Sequence, residues 1–225
     1  MPTPLSEALK TETAAAHTRA EDSAFVEQLI AGGACAPAFT ALVAQQLVFY
    51  RAMEDVLHRH YLDDPLVGAV ADRKLDRVPA LELDMAHHFG PDYDVRLATG
   101  EIRICPATTA YATAFTTAHS PEMMLANHYV RYLGDLSGGQ IIARMVGRHY
   151  GIPDEGLHFY RFAEIPKPKP YKDAYRARLD ALDLTPFQRG RVIEAAVESF
   201  EQNRRIFADL EHARVPEHAA AGAPQ

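Results

Sequence analysis

"YVRYLGDLSGGQIIARMVGRHYG", residues 129–151, joins a helical apolar pattern to a cluster of glycines. Leu133, Leu136, Ile141, Ile142, Met145 and Val146 ask for helix. Gly134, Gly138 and Gly139 oppose it, since an interior glycine costs about 0.8–1 kcal/mol relative to alanine. The frame "GDLSGGQI" imitates a phosphate loop, but Gln140 and Ile141 stand where that loop needs Lys and Ser/Thr, so phosphate binding is excluded. Two readings stay open. Gly134 and Gly138, four apart, could admit a neighbouring helix, or bare backbone could come against a flat ligand. Asp135 and Ser137 would then reach past the ligand's edge, and the helix would bend at the glycine–serine cluster.

Outward from this stretch the chain reads as helix after helix. Ser6 and Glu7 open a segment to about Ile30, and Pro37 opens another to about Tyr61. After "DDPLVG" a polar-faced helix runs to about Phe89, and residues 90–105 read as a loop. Pro106 and Ser120-Pro121-Glu122 mark further starts, with proline near the first helical position. "EIPKPKPY" reads as a stiff linker, followed by helix from about Tyr171 to Leu182. Thr185-Pro186 opens the last helix, where Ile193, Ala196, Phe200, Asn203, Phe207 and Leu210 form one stripe. No period-2 run of useful length occurs. The expectation is an all-α fold of about eight helices, one domain over residues 1–215, with a disordered tail at 216–225.

The 225 residues, 48% apolar and 24% charged, suffice for a full core. A formal net charge of -7 argues against a nucleic-acid partner, so any anionic ligand needs a local cluster of cations. Cys35 and Cys105 form no CxxC pair and fit a reducing compartment. "MPTPLSEALK" has no signal-peptide pattern and no apolar run approaches 18 residues, so a cytoplasmic protein without a membrane segment is expected.

None of the eleven histidines forms an i,i+4 pair or a zinc-protease motif. His17 differs from the rest, because Thr13, Ala14, Ala15 and Ala16 before it leave room for something large. Glu21, one turn on, can orient its imidazole. Lys10, seven residues earlier, lies roughly 10.5 Å away along a straight helix. A metal at His17 with a carboxylate near Lys10 has the dimensions of a haem with its propionates at a basic edge.

"LSEALKTETAAAHTRAE", "YVRYLGDLSGGQ", "YKDAYRARLDAL" and "TPFQRGRVIEAAVESFEQN", in this order, resemble the haem oxygenases over roughly residues 5–212. The resemblance implies that haem b, both substrate and cofactor, lies between an N-terminal proximal helix and a kinked, glycine-rich distal helix. It implies His17 as iron ligand, Glu21 as its partner, and Gly134 and Gly138 as the roof over the haem. Asp135 would hold the distal water network that delivers protons, extended by Tyr50, Arg131 and Asn203. Lys10, Lys172 and Arg176 would meet the propionates, Tyr129 the haem edge, and Phe200 would line the pocket. The implied reaction is cleavage at the α-meso carbon to biliverdin, carbon monoxide and ferrous iron, with O2 as oxidant. Electrons would come from a ferredoxin, a flavodoxin or an NAD(P)H-dependent reductase, and a monomer is expected. Two rivals share the scaffold. One is a haem carrier or sensor without turnover, which has no need of Asp135. The other is a non-haem, thiamin-degrading type, which needs an activated cysteine that neither Cys35 nor Cys105 offers.

Overall fold

The computed structural model describes residues 3–219, with side chains as far as residue 213. Its α-helices are α1 (Leu5–Glu12), α2 (Ala14–Glu21), α3 (Ala24–Ala31), α4 (Ala36–His60), α5 (Val78–Phe89) and α6 (Tyr93–Ala98), then α7 (Pro106–Thr117), α8 (Pro121–Asp135), α9 (Gly139–Tyr150), α10 (Pro168–Asp180) and α11 (Pro186–Ala219). Short 3-10 turns cover Arg73–Leu75, Asp154–Gly156 and His158–Tyr160, and no strand occurs among the described residues.

The expected class holds, but eleven α-helices among the described residues replace about eight, for local reasons. The first expected helix is interrupted at Thr13, whose hydroxyl donates back to the Leu9 carbonyl at 2.7 Å, and again at Asp22 and Ser23. Residues 90–105, expected as loop, contain α6. In α10 the helix begins at Pro168, inside the expected linker, because the first turn requires no backbone donor from Pro168 or Pro170. α11 continues beyond Val215 to Ala219, and positions 220–225 of the expected tail lie outside the described residues.

α4 is the central helix, burying Phe39, Val43, Leu47, Phe49, Tyr50, Met53 and Leu57, and packs on α5 and α7. α11 lies along α8 and also covers α2, α3 and α7. Its apolar stripe serves two surroundings. Val192, Ala196, Ser199 and Leu210 are buried in the core, whereas Phe200, Asn203, Ile206 and Phe207 line a cavity.

Two carboxylates tie the irregular segments to α4 and α5. Glu54 accepts hydrogen bonds from the Arg77 and Val78 amides at 2.6 and 3.2 Å, capping α5, and from the Tyr132 hydroxyl at 3.0 Å. Burial raises its pKa to about 7 against those stabilising bonds. Asp84 accepts from the amides of His158 and Phe159 at 2.7 and 2.8 Å. Arg77 donates to the carbonyls of Phe159 and Arg161 at 3.0 and 2.9 Å, with its guanidinium 3.7 Å from the Phe162 ring centre. The segment around residues 157–162 is thereby fixed without belonging to an α-helix.

Candidate functional site

A cavity of about 690 Å³ opens between α2, α8, α9 and α11, with α4 and the 159–160 segment closing its inner end. That volume lies within the roughly 300–1,000 Å³ usual for ligand pockets. Its walls are mainly apolar, with Val26, Ile30, Leu42, Phe49, Leu133, Ile142, Phe200 and Phe207 among them.

His17 lies on one wall. α2 is joined to α11 by Arg19, which donates to Glu201 at 2.6 Å, and the imidazole meets the Phe200 ring edge-on at 5.3 Å. Its Nδ1 is 3.3 Å from a Glu21 carboxylate oxygen, leaving Nε2 as the nitrogen available to a metal. The histidine side chain keeps 50% of its exposure, so it is presented to the cavity rather than sealed in the core.

Another part of the lining is the glycine stretch. α8 ends at Asp135 and α9 begins at Gly139, separated by a tight turn in which the Ser137 amide donates to the Gly134 carbonyl at 3.0 Å. Ser137 Oγ also donates to the Leu133 carbonyl at 2.7 Å, a bond type that bends helices. A Cβ on Gly134 would meet nothing within 4 Å, and one on Gly138 only the Gly134 carbonyl oxygen at 3.8 Å. Both missing side chains therefore leave open cavity rather than room for a neighbouring helix. Gly139 is different, since a Cβ there would lie 3.1 Å from Tyr160 Cδ1.

Beside these glycines Asp135 is buried and accepts a hydrogen bond from the Tyr50 hydroxyl. Burial raises the Asp135 pKa, while Arg131, the Tyr50 bond and Arg77 oppose the rise. Burial also works against the Arg131 charge, yet Tyr50 and Asp135 beside it leave its pKa above the ordinary value. Arg131 donates to Asn203 Oδ1 at 2.9 Å and lies 4.8 Å from the Phe49 ring centre.

Of the residues singled out in the sequence, His17, Glu21, Tyr129, Arg131, Gly134, Asp135, Gly138, Arg176, Phe200 and Asn203 line this one cavity. Tyr50 stands directly behind it. Lys172 does not line it, but its Nζ donates to Ser137 Oγ at the cavity wall at 2.7 Å. Its pKa is lowered by burial and then by Arg176, while Asp173, which pairs with Arg176 at 3.2 Å, opposes the fall. Lys10 is exposed and outside the lining; the interruption at Thr13 removes the straight-helix spacing that linked it to His17. Cys35 is exposed, and Cys105 is buried with its thiol pushed up to about 11 by burial and by Asp209, an inert setting.

Sequence reasoning missed Gln46, Phe49, Phe159 and Tyr160. Phe49 follows the α4 pattern and could have been placed beside Tyr50. Phe159 and Tyr160 carry no periodic signal, because their position depends on Asp84 and Arg77 far away in sequence.

The donor set and the bare roof suit a flat metal macrocycle with anionic substituents, and the comparisons agree. The chain belongs to the haem oxygenase family, whose model, described as "Heme oxygenase", matches residues 3–209. It is 34% identical over 218 residues to heme oxygenase 1 of Rattus norvegicus, covering 95% of this chain and 74% of that protein. It is 33% identical over 210 residues to heme oxygenase 1 of a Nostoc strain, covering 92% and 86%. The crystal structure of heme oxygenase-1 from the cyanobacterium Synechocystis in complex with heme superposes with a TM-score of 0.89 at 28% identity, covering 97% of each chain.

Proposed function

We infer that this chain is a haem oxygenase, converting haem to biliverdin, carbon monoxide and ferrous iron with O2 and externally supplied electrons. The observation that carries the reading is one cavity lined by His17, by the side-chain-free backbone of Gly134 and Gly138, and by Asp135. Haem in this cavity supplies both the iron at which O2 is activated and the carbon ring that is opened.

The protein's own residues bind, orient and handle protons. His17, oriented by Glu21, is the iron ligand, and a neutral imidazole there avoids the electron push of a thiolate. The bare backbone of Gly134 and Gly138 would leave room for a flat ring and restrict what fits above it. Asp135 holds a proton inventory at its carboxylate, through water, without a distal imidazole that would favour O–O cleavage. Tyr50, Arg131 and Asn203 extend that network.

Lys172 and Arg176, with Lys10 beyond the cavity rim, take the propionates, and Tyr129 lies at the haem edge. Their placement selects the α-meso position. Replacing both Lys172 and Arg176 by alanine should change the biliverdin isomer mixture; an unchanged mixture removes their orienting role. The electron donor, a ferredoxin, flavodoxin or NAD(P)H-dependent reductase, approaches a monomer in the cytoplasm. No described helix is long and apolar enough to cross a membrane.

Hemin added to the purified protein should give a Soret band that decays to biliverdin absorbance once ascorbate is supplied in air. A Soret band that survives repeated reductant identifies a carrier or sensor instead. No Soret band removes His17 and the reading with it.

A further inference from the structure

Five buried side-chain atoms lack a hydrogen-bond partner among the described residues: Ser23 Oγ, His128 Nε2, Arg131 Nε, Gln46 Oε1 and the Tyr160 hydroxyl. The last three belong to residues lining the cavity. Buried polar atoms are normally paired, so this clustering marks the cavity's inner end as a place that expects polar company. Arg131 belongs to the network around Asp135. Gln46, on α4, and Tyr160, on the 157–162 segment, have no assigned part.

Tyr160 is held on several sides. Its carbonyl accepts from Gln140 Nε2 at 2.6 Å, and its ring packs against Phe39 and edge-on against Phe159 with centres 6.4 and 4.9 Å apart. Gly139 completes the frame, because a Cβ there would crowd Tyr160 Cδ1 at 3.1 Å while standing 3.9 Å from Asp135 Cβ. The third glycine of the distal stretch thus brings the tyrosine ring alongside the aspartate. Burial, then the negative charge of Asp135, keeps the phenol protonated, and the neighbouring Gln46 amide opposes that rise. Of the other donors nearby, Tyr50 is committed to Asp135, Ser137 to the Leu133 carbonyl and Arg131 Nη1 to Asn203, while Arg131 Nε is unpartnered like the Tyr160 hydroxyl. The Tyr160 hydroxyl is thus an unpartnered donor on a held ring, lining the same cavity as Asp135.

We propose that Tyr160, backed by Gln46, is a positioning residue that fixes ordered water between Asp135 and the distal face of bound haem. This rests on the haem reading above. Water beside a carboxylate donates to it and needs a donor in return, which the phenol provides. Gln46, whose amide lies against the phenol, limits its torsion and so acts through Tyr160.

The test uses the full chain loaded with ferric haem and reads, by visible spectroscopy, the pH at which the water ligand of the iron loses its proton. Tyr160→Phe keeps the ring packing and removes only the donor. It should raise that pH by about half a unit or more, roughly threefold in proton affinity, with hemin affinity unchanged. Gln46→Leu should shift it the same way, and the double variant should go no further than Tyr160→Phe alone, since Gln46 acts through Tyr160. A titration identical to the parent's in Tyr160→Phe overturns the proposal. So does a loss of hemin affinity in that variant, which would make Tyr160 a packing residue. Failure of the parent itself to bind hemin overturns the haem reading instead, and this proposal with it.

Discussion

At Asp135 two opposing influences meet: burial pushes the carboxyl toward its neutral form, and Arg131, Tyr50 and Arg77 favour its charge. The net effect holds the carboxyl above its ordinary value, the direction that suits a carboxylate handing on protons. Asp135→Asn keeps the shape and lets the Tyr50 hydroxyl donate to an amide oxygen, but removes the titratable site. The expected outcome is hemin binding within a factor of a few of the parent and biliverdin formation slower by about 10²-fold. Single-turnover spectra of the loaded protein measure both, and a parent-like rate would move proton delivery elsewhere. Asp135 and His17 were legible in the sequence because each stands in a conspicuous setting, one among glycines and one after alanines. Gln46 and Tyr160 were not, because a glutamine on a buried helix and a tyrosine in an irregular segment look ordinary until the fold brings them together.

Among the elements, the break between α8 and α9 separates three glycines with different duties. Gly134 lies in the last turn of α8 with open space where its side chain would be, so alanine there should relieve helix cost without a clash. Gly134→Ala should stabilise the ligand-free protein by up to about 1 kcal/mol and weaken hemin binding by tenfold or more, about 1.4 kcal/mol. Gly139→Ala should instead destabilise the ligand-free protein, because its Cβ meets the Tyr160 ring. Thermal melts with and without hemin distinguish the two. If both variants behave alike, the division of duties is wrong. The sequence announced that the helix would bend here, and left open whether the gap faced a helix or a ligand. No neighbouring helix fills the space at Gly134 and Gly138, and at Gly139 the neighbour is the Tyr160 ring. Elsewhere the element pattern failed where local side chains overrode periodicity, at Thr13 and in the proline-led first turn of α10.

For the whole molecule, two buried groups set opposite limits on pH. His128, against Tyr132 and bonded through Nδ1 to the Tyr175 hydroxyl at 2.7 Å, is lowered to about 3 by burial and then by Arg178. Its folded pKa lies below the unfolded value of about 6.5, so the stability it contributes is present above that pH and is lost progressively as pH falls. Glu54 has the reverse sign. Its pKa rises from 4.5 to about 7, so its contribution is full below 4.5 and is lost as pH climbs through 7. Glu54→Gln should flatten the decline in stability between about pH 5 and pH 8, a difference of up to about 3 kcal/mol. Urea midpoints at the two pH values test it, and an equal decline in both proteins would show that Glu54 stays ionised. Neither group was visible in the sequence. Glu54 sits one turn after Tyr50 on an ordinary helix, and only the arrival of Arg77, Val78 and Tyr132 makes it a buried cap.

α5 contributes nothing to the cavity lining, yet Asp84 and the Arg77 that precedes the helix hold the 157–162 segment by its backbone. Because those bonds recognise amides and carbonyls, substitutions at positions 158–161 can alter the pocket floor while its height stays set by α5. The scaffold and the chemistry can therefore drift independently in this protein: the carboxylate and guanidinium act as a fixed bracket, and the side chains mounted on it are interchangeable fittings.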